Sequence, residues 1–197
     1  MKTHKKNKKN KNNKTKKSVF MEKDYNNGDG MVTSVWGPSL WHTLHTISFN
    51  YPLKPTKKDK IHYRNFILEL KYVLPCKYCR INLKENFKCL PLKMKHMESR
   101  KTFSKYIYNL HEHINRMLNK KSNLTYEHIR ERYEHFRSRC NKGKEIRKTI
   151  KKNKKEKGCV EPLYGKKSKC IIQIVPQETK CETFQMSKKC ETKRLNI

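Results

Sequence analysis

The sequence predicts an all-α protein in which five helices form a compact bundle. Apolar residues recur at helical spacing across residues 31–140, and the alternating pattern typical of a strand does not appear there. The same segment holds both tryptophans and most of the aromatic residues. We therefore assign the folded domain to residues 31–140, with tails at 1–30 and 141–197.

The two tails are strongly basic. The 197-residue chain has a formal net charge of +32, and the N-terminal tail is rich in lysine and asparagine. Such segments cannot bury enough apolar surface to offset chain entropy, so the N-terminal tail is expected to be disordered and the C-terminal tail mostly so. Basic tails can also make weak contact with polyanions such as nucleic acid. A basic helical module that binds nucleic acid, or is structural, without catalysis is therefore the alternative class of function.

Neither a membrane span nor a secretory signal is expected from this sequence. The longest apolar stretch, residues 171–175, is far too short to cross a bilayer. The lysine-rich N-terminus has no apolar segment behind it. Eight cysteines in such a chain favour catalytic or metal-binding use over a secreted disulfide scaffold.

The five helices can be placed from their end signals. Pro38 is expected near the start of the first helix, where its missing N–H costs little. Thr56 and Asp59 resemble a capping box that starts the second helix. The predicted helices begin at Trp36, Thr56, Cys76, Arg100 and Thr125. In the second helix, the residues expected to face the core are Ile61, Phe66, Ile67, Leu70, Val73 and Leu74.

Cys76 and Cys79 lie two residues apart between two predicted helices. Pro75 cannot continue the preceding helix but suits the first turn of the next, so both cysteines are expected in that turn. Unpaired backbone N–H groups there stabilise a thiolate, and Lys77 and Arg80 add positive charge. The pattern predicts a reactive dithiol of low pKa. By itself, Cys-x-x-Cys also fits half of a zinc site or two buried thiols.

Three familiar classes of site fit this sequence poorly. The candidate zinc ligands His111 and His113 are two residues apart on a helix and so point in different directions, and no metal site is expected. Thioredoxin-like exchange would place the cysteines after a strand of a βαβ unit. None of the six glycines forms the G-x-G-x-x-G sequence of a Rossmann-type flavin site. Any cofactor must therefore lie between helices.

Three motifs follow one another along the predicted domain. Residues 36–45 read WGPSLWHTLH, with Tyr51-Pro52 shortly after. Pro75-Cys76-x-x-Cys79 follows, and residues 111–120 read HEHINRMLNK. In order and spacing they resemble the W-x-x-L-H, the redox-active disulfide and the H-N-x-V-N-x-x-L-x-K of the ERV/ALR-type FAD-linked sulfhydryl oxidases.

This resemblance implies a four-helix bundle plus a short fifth helix that holds FAD, usually as a homodimer. It also implies oxidation of thiol-containing protein substrates through Cys76 and Cys79. The electrons pass through FAD to oxygen, with release of hydrogen peroxide. Cys76 is expected to be the exposed sulfur that thiolates attack, and Cys79 the deeper one. The implied flavin-pocket residues are Gly37, Trp41, Leu44, His45, Tyr51, His111, Asn115, Lys120 and Tyr126.

The chain departs from the family pattern at two positions. Glu112 stands where the family has asparagine, and Tyr108 stands where cellular members have a structural cysteine. The missing disulfide, the compact domain and the lysine-asparagine tails resemble the versions found in large DNA viruses such as mimivirus. That resemblance implies a place in the host cytoplasm, the virus factory or the virion.

Six further cysteines have no role assigned by the motifs. Some family members carry a shuttle dithiol in a tail, but usually as a close-spaced pair. The tail cysteines here are 11, 11 and 9 residues apart, so we expect free thiols rather than a shuttle. The tail cysteines are Cys159, Cys170, Cys181 and Cys190. Cys89 and Cys140 complete the set, and Cys140 is expected to pack at the end of the last helix.

Overall fold

A computed structural model describes residues 19–28, 30–141 and 158–191. The sequence-based expectations for the remaining parts of the two tails lie outside the described residues. Within the described residues, no helix combines the length and apolar character needed to cross a bilayer.

The chain divides into two compact units, Met1–Gly30 and Met31–Ile197. In the first, the described residues contain one short helix, α1 (Glu22–Tyr25). The second contains α2 (Thr33–Phe49), α3 (Lys57–Val73), α4 (Lys77–Cys89), α5 (Arg100–Met117) and α6 (Tyr126–Glu134), with a short 3-10 helix at Met94–Met97. Strands β1 (Ser138–Asn141) and β2 (Gly158–Pro162) form a small antiparallel sheet. The expected helical bundle is confirmed, and the sheet is an addition to it.

Helix α2 begins at Thr33 rather than at Trp36. Pro38 therefore lies inside the helix and not near its start, which corrects the sequence-based expectation. Proline has no amide hydrogen to donate to the carbonyl four residues back, here that of Ser34. The indole N–H of Trp36 supports the early start, because it donates to the carbonyl of Met31 at 3.0 Å.

Helix α3 has the capping box expected from its sequence. The hydroxyl of Thr56 accepts the Asp59 N–H at 3.2 Å, and the Asp59 carboxylate accepts the Thr56 N–H at 2.8 Å. The expected buried face is only half correct, because α3 packs on its neighbours along one narrow side. The residues that are buried are Ile67, Leu70 and Leu74. The residues that are exposed instead are Ile61, Phe66 and Val73.

Tyr51 is part of the apolar core to which α2, α3, α4 and α5 contribute. Its side chain is fully buried, and its hydroxyl donates to the carbonyl of Met97 at 2.9 Å. The ring packs against Tyr63 and Phe103, with centroids 4.8 and 5.0 Å away. The guanidinium of Arg100 donates to the Tyr51 carbonyl at 2.6 Å. Tyr51 is therefore a core residue with its polar groups satisfied, and it does not face an open pocket.

Part of the C-terminal segment packs on the helical domain, although the sequence suggested that it would be mostly disordered. In the small sheet, Arg139 of β1 faces Glu161 of β2. Further along, the ring of Phe184 lies beside those of His42 and Phe136, with centroids 5.5 and 6.2 Å away. For these residues, partners that are distant along the chain supply contacts that local composition does not indicate.

We expect Tyr51→Phe to lower the free energy of unfolding of the cofactor-free protein by about 1–2 kcal/mol. The substitution leaves the Met97 carbonyl buried without its donor. Denaturant unfolding measures the change, and Tyr164→Phe, at an exposed tyrosine, is the matched control. Equal stability of both variants would show that the hydrogen bond from the Tyr51 hydroxyl to the Met97 carbonyl adds no net stability.

Candidate active site

The Cys-x-x-Cys segment forms the junction between α3 and α4. Cys76 is the N-cap of α4, and its sulfur accepts the backbone N–H of Cys79 at 3.3 Å. Only Cys79 therefore lies in the first turn, and Pro75 precedes the cap instead of opening the helix. A capping sulfur takes one of the N–H groups that a helix start leaves without a partner. The local sequence thus aims the sulfur of Cys76 at the positive end of α4.

The two sulfurs differ in acidity. Hydrogen bonds from the thiol and the backbone N–H of Cys79 lower the pKa of Cys76. Burial, followed by the hydrogen bond to Cys76, raises the pKa of Cys79. Both cysteines are free thiols in the structure, and Cys79 packs against the core. In this dithiol form, Cys76 is the better nucleophile and Cys79 holds the proton.

The start of α2 holds this junction in place. The N–H of Met31 donates to the carbonyl of Pro75 at 2.7 Å. The hydroxyl of Thr33 lies 3.6 Å from the sulfur of Cys79. On the other side, Arg80 donates to the carbonyl of Leu74, so its charge also secures the turn. Sequence reasoning missed Thr33, although its position four residues before Gly37 could have indicated it.

One face of α2 connects the cysteines to a cluster of aromatic and histidine side chains. Thr33, Gly37, Trp41 and His45 follow one another at intervals of four residues, so they lie along one side of the helix. Thr33 contacts Cys79 at one end of this row. At the other end, His45 lies within hydrogen-bonding distance of His111 on α5, with nitrogens 3.1 Å apart. We call these four residues the α2 row.

The cluster at the far end of the α2 row is closely packed and contains one parallel pair of rings. The indole of Trp41 stacks on the imidazole of His111, with centroids 3.9 Å apart and planes 6° apart. The Nε2 atom of His45 is 3.1 Å from the Nδ1 atom of His111. Tyr133 of α6 adds a further ring 5.4 Å from that of His45. Such stacked planar side chains suit a flat aromatic ligand.

Both histidines are held neutral. Burial, followed by the charges of His111 and His42, lowers the pKa of His45 to about 3. Burial also lowers the pKa of His111 to about 4, against an opposing effect of Glu112 and with a smaller contribution from Lys120. Among the described residues, Nδ1 of His45 is a buried polar atom that has no hydrogen-bond partner. A buried atom of this kind suits a ligand that supplies the missing hydrogen bond.

The end of α5 brings Lys120 back towards His111. Asn119 has a left-handed backbone (φ 55°), and its N–H donates to the carbonyl of Arg116 at 3.0 Å. The N–H of Lys120 donates to the carbonyl of Asn115 at 2.8 Å. These two bonds form a Schellman motif, which asparagine tolerates well. The motif explains why asparagine and lysine stand together at residues 119 and 120.

Glu112 organises the same end of α5. Its carboxylate accepts from the Asn115 amide at 3.0 Å and from the Ser122 hydroxyl at 2.8 Å. The residue that departs from the family pattern therefore fixes Asn115 and the loop that leads to α6. Sequence reasoning identified Glu112 only as a departure from the family pattern, because its partner Ser122 lies outside the motif.

Two other expected pocket residues lie apart from the stacked cluster. Leu44 is buried in the core. Tyr126 lines a cleft of about 320 Å³ and bonds to Ser104, with their oxygens 2.8 Å apart. Three basic side chains line this cleft together with the carboxylate of Glu134. They are Arg100, Lys101 and Arg130.

The glycine at position 37 bears on whether a cofactor can lie along the α2 row. Glycine inside a helix costs about 1 kcal/mol relative to alanine. A Cβ atom at position 37 would meet only the Thr33 methyl, at an ordinary 3.7 Å. The protein's own packing therefore does not require glycine here. A group lying along the α2 row would account for it, in agreement with the unpartnered nitrogen of His45.

Fold and site together define a helical protein with a dithiol beside a stacked aromatic cluster. The Erv1/Alr family model matches residues 38–134. An FAD-linked sulfhydryl oxidase of African swine fever virus is 31% identical over 86 residues, 44% of this chain and 70% of the viral protein. The chain belongs to the Erv1/Alr family, and the resemblance seen in its motifs is confirmed.

Two further relatives match over less of their length. A probable FAD-linked sulfhydryl oxidase of Acanthamoeba polyphaga mimivirus is 36% identical over 91 residues, 46% of this chain. An FAD-linked sulfhydryl oxidase of Arabidopsis thaliana is 31% identical over 84 residues, 43% of this chain. This chain spans 63% of the mimivirus protein and 42% of the plant protein.

The other described cysteines fall into two groups. Cys159 is disulfide-bonded, so the expectation of a free thiol is wrong there. The side chain of Cys140 lies outside the part of the chain that the structure describes. The free thiols are Cys89, Cys170, Cys181 and Cys190.

The neutral histidines predict how stability depends on pH. The unfolded chain protonates each histidine near pH 6.5, whereas folded His45 and His111 stay neutral to about pH 3 and 4. The unfolded state therefore binds more protons as pH falls below about 6.5. Each histidine then removes up to about 1.4 kcal/mol of stability per pH unit. The loss continues until the pH reaches the folded pKa.

We therefore expect the double variant His45→Gln/His111→Gln to show a flatter pH dependence of unfolding than the parent between about pH 4 and 6.5. Denaturant unfolding of the cofactor-free protein across this range measures it. His62→Gln, at an exposed position on α3, is the control and should retain the parent slope. Parallel curves for parent and double variant would contradict the neutral pair.

Proposed function

We propose that this protein is an FAD-linked thiol oxidase that forms disulfide bonds in protein substrates, with oxygen as acceptor and hydrogen peroxide as product. The observation that carries the proposal is the pair of unequal sulfurs at the start of α4, in contact with the α2 row. The names of the viral relatives support it. The nucleic-acid alternative rests only on net charge.

The chemistry of the cysteines follows from their positions. In the disulfide form, a substrate thiolate attacks the sulfur of Cys76, so a substrate–Cys76 bond forms and the Cys76–Cys79 bond breaks. A second substrate thiolate then attacks the substrate sulfur of the mixed disulfide, so the substrate disulfide forms and the Cys76 sulfur leaves as a thiolate. The products are a substrate disulfide and the dithiol form seen in the structure, with the proton on Cys79. Two electrons have moved from the substrate to this pair.

The α2 row and the facing side of α5 supply the residues that would hold FAD. Trp41 and His111 offer flat surfaces, Nδ1 of His45 lacks a partner, and Gly37 allows close approach. Lys120 adds a positive charge near His111. When bound, FAD supplies a two-electron acceptor that can pass electrons to oxygen. The chain's own part is to orient the sulfurs and exclude water.

We also include in this proposal a homodimer and weak contact of the basic tails with polyanions. The viral relatives support a location in the host cytoplasm, the virus factory or the virion.

The purified protein should be yellow, with FAD bound, and should consume oxygen when given dithiothreitol or a reduced protein. Peroxide should form in proportion to the oxygen consumed. An oxygen electrode and a peroxide assay measure both. A colourless, folded protein that retards DNA in a gel would favour the alternative class. Bound flavin without thiol-dependent oxygen uptake would rule out the oxidase.

Cys76→Ser and Cys79→Ser should each abolish turnover, because one sulfur cannot complete the exchange. Their absorption spectra should differ. Cys76→Ser removes a neighbour that raises the pKa of Cys79, so Cys79 ionises more readily and should give a long-wavelength charge-transfer band. Cys79→Ser should lack that band and instead trap substrate thiols on Cys76.

The matched control is Cys89→Ser, an exposed free thiol near the other end of α4. This variant should keep parental turnover and spectrum. The reverse pattern of spectra in the two active-site variants would mean that the roles of the sulfurs are exchanged.

A further inference from the structure

Large apolar side chains that face solvent stand on the segments that meet at the junction holding Cys76. The exposed fraction is 68% for Val73, 73% for Tyr78, 70% for Met31 and 67% for Val32. We call these four residues the apolar collar. Single exposed apolar residues are common on protein surfaces, but a group of them in one place indicates an interaction site.

The collar residues lie together because of contacts already described. Val73 and Tyr78 stand within three residues of Cys76 along the chain. The N–H of Met31 donates to the carbonyl of Pro75 at 2.7 Å, which places the start of α2 beside the junction. Three elements therefore supply apolar groups to one small area around Cys76.

The core does not account for the collar. The last turn of α3 buries Leu70 and Leu74, whereas Val73 points to solvent. A polar residue at position 73 would serve the bundle equally well, since the side chain contributes little burial there. The apolar character of this position therefore suits a partner better than it suits the fold.

Positive charge borders the collar. Lys71 of α3 and Lys84 of α4 both approach the exposed ring of Tyr72, with their ammonium nitrogens 4.9 and 5.2 Å from its centroid. Lys77 is exposed directly after Cys76. Acidic side chains on a partner would be attracted to this border.

The acidic residues of the same helices do not cancel this charge. Glu85 pairs with Lys88 at 2.8 Å. Glu69 is exposed on α3, and it is a single carboxylate against the three basic residues Lys71, Lys77 and Lys84 of the border. The border therefore keeps a net positive charge, in agreement with the +32 of the whole chain.

We propose that the apolar collar is the docking surface for the substrate. Its occupant is an extended, cysteine-bearing protein segment with apolar side chains next to the cysteine and acidic side chains further out. This inference rests on the proposed function and names the substrate class of the same site. Docking brings the substrate thiolate to Cys76, where its bond to the Cys76 sulfur forms as Cys79 leaves.

The experiment uses the full-length Cys79→Ser protein and needs neither flavin nor oxygen. The probe is a synthetic peptide whose single cysteine is joined to thionitrobenzoate. The Cys76 thiolate attacks the peptide sulfur, a Cys76–peptide disulfide forms, and the coloured thionitrobenzoate anion leaves. The double variant Cys76→Ser/Cys79→Ser gives the background from the other thiols, which is subtracted.

We expect a peptide with leucine, phenylalanine and glutamate around its cysteine to react about tenfold faster than one with serine, glycine and lysine, a ratio equivalent to about 1.4 kcal/mol. Added salt should reduce the advantage that depends on glutamate. Val73→Ser and Tyr78→Ser, made in the Cys79→Ser protein, should remove most of the preference for apolar residues. Leu53→Ser, equally exposed in the loop before α3, should leave it unchanged.

Equal rates for both peptides would overturn the docking surface. If Val73→Ser leaves the peptide rates unchanged but lowers the mass of the protein in solution, the docking surface is also overturned. The collar is then an interface between two copies of the chain. If the peptide preference appears but the parent protein consumes no oxygen with thiols, then the oxidase proposal fails and the docking surface stands.

Discussion

The four-residue repeat along α2 determines where the reactive groups of this protein can lie. Residues spaced by four share one side of a helix, and twelve residues of helix span about 18 Å. Thr33 at one end touches Cys79, and His45 at the other end meets His111. If two of these four residues stood two positions further along α2, their side chains would lie on a different side of the helix. The dithiol and the stacked rings would then no longer share a surface.

Acidity in this site is set mainly by burial and by backbone geometry. The N-cap position and the N–H of Cys79 favour the ionised form of Cys76, whereas burial keeps Cys79, His45 and His111 neutral. The arrangement makes Cys76 the more acidic of the two sulfurs. The neighbouring imidazoles of His45 and His111 stay uncharged, so covering them with a flat, largely apolar group costs less free energy of desolvation.

Local signals in the sequence were sufficient to predict most helices and to place the Cys76–Cys79 pair at a helix start. Thr56 and Thr125 cap the helices that their sequences indicate, because a cap depends on residues only three apart. The pairing of β1 with β2 escaped prediction, since its partners are far apart along the chain. Periodicity also assigned Val73 to the core, because an apolar stripe looks the same whether it faces the core or a partner.

The candidate site also combines residues that the sequence indicates with contacts that it does not. The motifs identified Trp41, His45 and His111 one by one, but only the three-dimensional structure shows that they stack and bond to each other. Thr33 and Ser122 act through contacts outside any motif. Tyr51 follows the first motif closely, yet its ring is needed inside the core, and sequence spacing alone cannot distinguish these two uses.

Pro38 gives α2 a mechanical property that a continuous helix lacks. The proline cannot donate to the Ser34 carbonyl, so one rung of the helical ladder is missing between the turn that touches Cys79 and the turn that carries Trp41. The helix is therefore two stiff segments joined at a softer point. The turn beside Cys79 can therefore shift independently of the turn that carries the stacked rings.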